Sequence, residues 1–354
     1  MKGRLTYIDW MRGLACLLMF QTHVYDSWTA PAYRNSTFIM YSQALGTFPA
    51  PLFIFLAGFS LALGMDRMTE RGATSAQISV TFARRGLEIF GLGVLFRVQQ
   101  FAMSWGWAPW TDLLRVDVLN MIGLSLMCTG LVAMIATGAW RRAAVAAVIA
   151  AIIALLTPPL FTTWKPDFLP WWLASYVNGG HTDYQPKGYL FPIFPWMGFA
   201  FGGCAAGLVV MRARSAGREA AAVAALAVGG AALALLSRWL DHLPGQFYAV
   251  YDYWRTSPNF FLARLGLLLV ILGFCYLWCA IKPGKWWSPV EQLGSTSLLV
   301  YWVHIEFVYG RLTLLPKKGS SLEMASGGLL LITAMMVVLS LLKTRWSARG
   351  KVKT

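Results

Sequence analysis

The sequence predicts an all-α protein: a polytopic bundle of about ten transmembrane helices, in one integral membrane domain covering residues 1–354. Of its 354 residues, 57% are hydrophobic and only 13% are charged, whereas soluble globular domains carry about 25% charged residues. The mean hydropathy is +0.56, and apolar stretches occur from one end of the chain to the other. Because no long polar stretch interrupts them, the sequence leaves no room for a separate soluble domain.

The helices are placed by windows of about 20 apolar residues, the length that crosses a bilayer. The fifth and seventh are rich in alanine and contain few polar side chains, so we expect them to serve as scaffold. The predicted spans lie near residues 7–28, 48–65, 85–103, 116–136, 142–160, 191–211, 220–236, 260–281, 293–311 and 325–342.

Lysine and arginine orient these spans, because cytoplasmic loops of membrane proteins carry an excess of both. With the N-terminus inside, eighteen of the 30 basic residues fall in inside segments, nine in outside segments and three within spans. We therefore expect a multi-pass protein of the plasma (inner) membrane with both termini in the cytoplasm. This clustering at span ends also accounts for the net charge of +15, so a nucleic-acid partner is not expected. The first apolar run contains charged residues and no small-residue cleavage site follows it, so no cleavable signal is expected.

The first span, residues 7–28, concentrates ionisable side chains. Asp9 and Arg12 are three residues apart and share a helix face. His23 follows Arg12 by eleven residues, which places it on that face about 16 Å further along the axis. Asp26 lies three residues past His23 and is within its reach. Since ionisable groups within a bilayer are costly and usually mark a site, we predict that His23 and Asp26 are catalytic. The alternative is that Asp9 and Arg12 anchor the helix at the interface and His23 bonds a neighbouring helix.

Polar side chains in other spans are expected to line the same site. His304 in the ninth span lies beyond the bilayer midpoint, as His23 does, so we expect the two imidazoles to face each other. The alternative for His304 is a hydrogen bond to a neighbouring backbone carbonyl. The side chains expected to bind substrate or line the site are Asp9, Ser60, Asp117, Asn120, Tyr301, His304 and Glu306.

The spacing on the first span suits a long donor molecule with a charged head, and acyl-CoA is such a molecule. Its phosphates would bind Arg12 and the inner-end residues Arg84 and Arg85, and its pantetheine arm would deliver the thioester to His23. A histidine there could act as general base towards a hydroxyl or amine or carry the acyl group covalently, and Asp26 could fix its tautomer. The five cysteines all fall inside apolar spans without zinc or disulfide spacing, so no metal is expected.

These motifs resemble a known family. Arg12-x10-His23, within RLTYIDWMRGLACLLMFQTH, is similar to the first-span signature of the membrane acyltransferase superfamily. The fuller set resembles the heparan-alpha-glucosaminide N-acetyltransferase-like family of bacteria, over nearly the whole chain from Arg4 to about Gly310. The matching segments are IDWMRG, PLFIFLAGFSLALG, DVLNMIGLSL, FPIFPWMGFAFGG and LGSTSLLVYWVHIE.

The resemblance implies transfer of an acetyl or other acyl group from cytoplasmic acyl-CoA, with acetyl-CoA the expected donor, to a glycan-like acceptor on the outer side. It also implies that the catalytic histidine is His23. In the lysosomal members the active histidine lies in the loop after the first span, whereas no histidine occurs here between Val24 and Phe48. This departure leaves the acceptor open.

The competing class is a multi-span transporter with an intramembrane charged site. Carriers often contain two halves with matching broken helices, but the polar first span has no counterpart in the sixth. We therefore favour the acyltransferase. Its expected partners are the lipid bilayer, acyl-CoA and a glycan or other small acceptor, and a homodimer stays open.

Overall fold

The computed structural model describes residues 4–106, 108–178, 191–245, 247–254, 256–281 and 287–351. Within these ranges the chain forms fourteen α-helices and no β-strand. The helices are α1 (Thr6–Trp28), α2 (Thr37–Leu45), α3 (Pro49–Glu70), α4 (Ser75–Met103), α5 (Val118–Gly130), α6 (Val132–Ile135), α7 (Ala139–Thr162), α8 (Trp171–Asn178), α9 (Ile193–Ser215), α10 (Glu219–Asp241), α11 (Pro258–Ile281), α12 (Pro289–Ser295), α13 (Ser297–Val308) and α14 (Leu322–Lys351).

The all-α polytopic bundle is confirmed, but the number of spans is not. Seven helical stretches of the described residues are long and apolar enough to cross a membrane. Two of the expected spans, 7–28 and 85–103, fall on α1 and α4, whose charged side chains lower their hydropathy. The expected span 293–311 is broken at Thr296 between α12 and the short helix α13. The seven are Thr37–Glu70, Val118–Ile135, Ala139–Thr162, Ile193–Ser215, Glu219–Asp241, Pro258–Ile281 and Leu322–Arg349.

The chain divides into two compact units. The first contains residues 1–50, 103–105 and 274–354, and the second contains residues 51–102 and 106–273. The first unit therefore joins the two ends of the sequence. The organisation as one membrane domain stays a prediction.

In the first unit, α1 and α12 touch through their backbones. A Cβ atom placed on Gly13 would overlap the carbonyl of Val290, and one on Gly294 would overlap the carbonyl of Asp9. Glycine at both contacts removes the side chains that would hold the helices apart, as is common where membrane helices cross closely. Helices α13 and α14 also pack on α1, so α1 is the central helix of this unit.

The connection between α13 and α14, residues 309–321, is bonded to the end of α1. The Ser27 hydroxyl donates to the carbonyl of Val308 (2.8 Å). The backbone N–H of Lys318 donates to Ser27 O (2.8 Å), and that of Ser320 donates to Trp28 O (2.9 Å). These bonds satisfy carbonyls that the last turn of a helix otherwise leaves open, and they fix α13 relative to α1.

In the second unit, small residues again allow close helix crossings. A Cβ on Gly58 of α3 would overlap the carbonyl of Ala200 in α9, and one on Gly203 of α9 would overlap the carbonyl of Phe55. Gly86 and Gly123 stand in the same relation between α4 and α5, and Gly230 and Gly266 between α10 and α11. This is the small-residue packing expected where lipid supplies no hydrophobic drive for helix association.

Candidate active site

Two histidine rings meet in the first unit, one from α1 and one from α13. Nδ1 of His23 lies 2.9 Å from Nε2 of His304. The ring planes lie within 5° of parallel and the centroids are 5.1 Å apart, so the two rings meet edge to edge. His304 is fully buried, whereas His23 is half-buried. The structure thus brings together the two imidazoles that depth in the bilayer predicts, and we refer to His23 and His304 as the histidine pair.

The second expectation for His304, a bond to a backbone carbonyl, also holds. Its Nδ1 lies 2.9 Å from the carbonyl oxygen of Val300, one turn earlier in α13. Both ring nitrogens of His304 are therefore engaged, one by its own helix and one by His23.

Aromatic side chains surround the histidine pair. The Phe20 ring lies 4.9 Å from that of His304, and the Tyr301 ring lies 6.0 Å from it. Tyr309 places its ring edge-on to His23, with centroids 5.4 Å apart. Glu306 is buried on the same helix as His304. These neighbours restrict both the rotation of the rings and the access of water to His304.

Asp26 lies at the exposed end of α1, and its carboxylate is bonded to residues from two other segments. It accepts a hydrogen bond from the Tyr309 hydroxyl (2.9 Å) and pairs with Arg34 (3.3 Å) and Lys318 (3.4 Å). Nδ1 of His23 contacts Nε2 of His304. Asp26 is linked to the histidine pair through Tyr309, whose hydroxyl bonds Asp26 and whose ring packs against His23. A catalytic role for Asp26 stays a prediction.

At the other end of α1, the Asp9–Arg12 pair that the spacing predicts is present and includes one further residue. Arg12 donates to Asp9 Oδ1 (3.0 Å), and Arg4 donates to Oδ2 of the same carboxylate. Asp9 is buried, while 29% of the Arg12 side chain is exposed. Asp9 thus bonds two guanidinium groups, and the carboxylate of Glu291 in α12 also acts electrostatically on Arg4. The cluster therefore offers guanidinium donors to an anionic ligand without a large excess of positive charge.

The polar residues expected in the fourth span belong to the second unit, where they join α4 to α5. Asp117 forms a buried ion pair with Arg97, which also donates to Gln100 (2.8 Å). Asp117 and Asn120 form a capping box at the start of α5, and the amide of Asn120 donates to the carbonyl of Phe90 (3.3 Å). These contacts account for both residues structurally, and a role in lining a site stays a prediction.

Three other expected site residues also lie in the second unit. The Ser60 hydroxyl donates to the carbonyl of Leu56, one turn earlier in α3. Arg84 and Arg85 are exposed on α4, and Arg85 pairs with Glu88 (2.9 Å). Their participation in donor binding stays a prediction.

Comparison with known proteins gives one family match and no curated relative. The family model for "heparan-alpha-glucosaminide N-acetyltransferase, catalytic" matches residues 4–244. No curated protein matches the chain. The matched region covers more than half of the sequence and includes Arg12 and His23, while His304 lies beyond its end. On this match, the chain belongs to the heparan-alpha-glucosaminide N-acetyltransferase catalytic family, a family of membrane N-acetyltransferases.

Proposed function

We propose that this protein transfers an acetyl or other acyl group from cytoplasmic acyl-CoA to a hydroxyl or amine of a glycan-like acceptor on the outer side, with His23 as general base. Family membership supports acetyl transfer. The observation that carries the assignment to His23 is the histidine pair: His23 is accessible, and a buried ring holds it in one orientation. Histidine is the commonest general acid–base residue in enzymes.

The donor would bind along α1. The cluster of Arg4, Asp9 and Arg12 lies at the end of this helix away from His23, its predicted inner end, where the guanidinium groups would hold the phosphates of CoA. Eleven residues separate Arg12 from His23, or about 16 Å along the axis, and the extended pantetheine arm would cover this distance. Arg84 and Arg85 are proposed as further phosphate-binding residues. In this arrangement acetyl-CoA is the expected donor and the chain ends lie in the cytoplasm.

In the proposed reaction the acceptor oxygen or nitrogen attacks the thioester carbonyl while His23 takes its proton. The carbon–sulfur bond then breaks, and CoA leaves as the thiol after the proton returns from His23. The same residue could instead be acylated first and pass the group on. Incubating the protein with labelled donor and no acceptor distinguishes the two routes, because only the route through an acylated His23 accumulates an acyl-enzyme.

The test is transfer from labelled acetyl-CoA by the purified protein, offered a panel of amino sugars and neutral sugars. His23→Ala should lower turnover by about 10²–10⁴-fold, the usual contribution of a general base. His23→Asn should be equally inactive but better folded, because its side-chain amide still donates towards His304. His242→Ala is the matched control, since this histidine caps α10 and has no proposed role. Retention of a tenth of wild-type turnover by either His23 variant contradicts the assignment.

A further inference from the structure

We infer that His304 is a positioning residue that fixes the tautomer of His23, so that Nε2 of His23 is the nitrogen that accepts the proton. The inference rests on the proposed role of His23 as general base. It assigns to His304, together with the carbonyl of Val300, the orienting task that an acidic residue performs in a catalytic triad.

The first step is the bond inside α13. A carbonyl oxygen can only accept, so the 2.9 Å contact between Val300 O and Nδ1 of His304 requires a proton on that nitrogen. The carbonyl has two lone pairs, so it can accept from the ring and also accept the backbone hydrogen bond of the helix. Because Val300 and His304 are four residues apart on one helix, this bond depends on no other element.

The second step follows from the chemistry of the neutral ring. A neutral imidazole has one N–H donor and one acceptor nitrogen. With the proton on Nδ1, Nε2 of His304 is the acceptor, and the nitrogen 2.9 Å away, Nδ1 of His23, must be the donor. In neutral His23 the remaining nitrogen, Nε2, therefore carries a lone pair and no proton. The carbonyl of Val300 thus determines, through His304, which nitrogen of His23 is basic.

Burial favours this orientation of the His304 ring over the reversed one. His304 is fully buried and is flanked by the rings of Phe20 and Tyr301, so reversing the ring would leave a buried nitrogen without its partner. A buried polar atom that loses its hydrogen-bond partner destabilises the folded state, so the reversed ring is disfavoured. His23 is half-buried, so it is the member of the pair that a substrate can reach.

The same bond also supports the reaction. When His23 takes a proton at Nε2, its ring becomes cationic, and the Nδ1–H bond to His304 becomes charge-assisted and therefore stronger. A carboxylate in the place of His304 would give more stabilisation but would have to be buried as an anion, which is costly. The nearest candidate by sequence, Asp26, is exposed and bonded to Tyr309, Arg34 and Lys318.

The decisive measurement is a solid-state ¹⁵N spectrum of the protein in lipid, labelled only at histidine. The chain has four histidines, so resonances can be assigned by loss of signal in His23→Asn, His304→Gln and His242→Ala. Protonated and unprotonated imidazole nitrogens are separately resolved in such spectra. We expect Nδ1 of His23 to be protonated and Nε2 unprotonated in the wild-type protein, and a mixture of the two tautomers in His304→Ala.

Kinetics provide the second measurement. His304→Ala should lower kcat by roughly 10–10²-fold, because a misplaced catalytic group costs up to about 10²-fold, with little change in KM for the donor. His304→Gln should recover part of this loss, because its side-chain oxygen can still accept from His23. His242→Ala should retain wild-type kcat.

A wild-type spectrum with the proton on Nε2 of His23 overturns the inference, and this result needs no variant to fold. So does a His304→Ala protein with wild-type kcat when His23→Asn is inactive. Failure of the proposed function is distinguishable: in that case His23→Asn retains turnover, whatever the tautomer of the wild-type ring.

Discussion

Replacing Gly294 with alanine should separate the histidine pair without touching either ring. Gly294 is buried in α12, and an added Cβ would overlap the carbonyl of Asp9 in α1 and lie 2.8 Å from the N atom of Gly13. All of these are backbone atoms, so no side chain can rotate away to make room. The two helices themselves must move apart.

The size of this movement can be estimated from contact distances. A carbon atom and a carbonyl oxygen pack at about 3.3–3.6 Å, whereas the added Cβ would lie 1.7 Å from the carbonyl oxygen of Asp9. Helix α12 must therefore shift from α1 by roughly 2 Å to restore an ordinary contact. Helix α13 follows α12 after one residue, so His304 moves with it and its 2.9 Å contact with His23 exceeds hydrogen-bonding distance. We expect a stability loss of about 1–3 kcal/mol, the usual cost of overpacking, and a loss of turnover of about 10²-fold.

The assay compares Gly294→Ala with Gly327→Ala in thermal unfolding and in acetyl transfer. Gly327 lies within α14 of the same unit, and a Cβ there would meet nothing within 4 Å. Alanine is favoured over glycine inside helices by roughly 0.5–1 kcal/mol, so the control should unfold at the same or a slightly higher temperature and keep full turnover. If Gly294→Ala matches this control in both measurements, the backbone contact between α1 and α12 does not position His304, and the reasoning is refuted.

Two further predictions concern the charged clusters. Arg12→Ala should raise the KM for acyl-CoA more than that for the acceptor, and Arg12→Lys should restore it only in part, because lysine lacks the planar guanidinium; equal changes in both KM values would identify a purely structural pair with Asp9. Arg97→Met should lower stability by about 3–5 kcal/mol, since it removes one partner of a buried ion pair, and the double variant Arg97→Met/Asp117→Asn should recover most of the loss in unfolding midpoint. A double variant no more stable than Arg97→Met would show that the ion pair is not the source of the loss.

The polar face of α1 could be predicted because helical periodicity fixes which side chains lie together. Asp9 and Arg12 are bonded as their spacing requires. The meeting of His304 with His23 could be inferred as well, because residues at comparable depth in two predicted spans of one bilayer lie at the same level. Which helix lies beside α1 depends on tertiary packing, and local sequence carries little of that information.

Helical periodicity does not predict the other partners of Asp9 and Asp26. Arg4 precedes the first helical residue, so helical spacing does not place it near Asp9, although the two are bonded. Lys318 and Tyr309 reach Asp26 from almost 300 residues away. Asp117 and Asn120, by contrast, form a local sequence pattern that favours a structural role over a catalytic one. An acidic residue followed three positions later by an amide at a helix start is typical of a capping box, and the structure contains one there.

The two members of the histidine pair are synthesised far apart in time, because they lie near opposite ends of the chain. His23 and His304 are 281 residues apart, and at about 5–20 residues per second the ribosome needs roughly 15–55 s to synthesise the chain between them. At the end of that time α1, with its charged and polar face, has long been made, whereas α13 is only then completed and α14 follows it. Assembly of the histidine pair is therefore among the last steps of biogenesis, and a chain that ends at residue 244 would contain the matched family region but only half of this site.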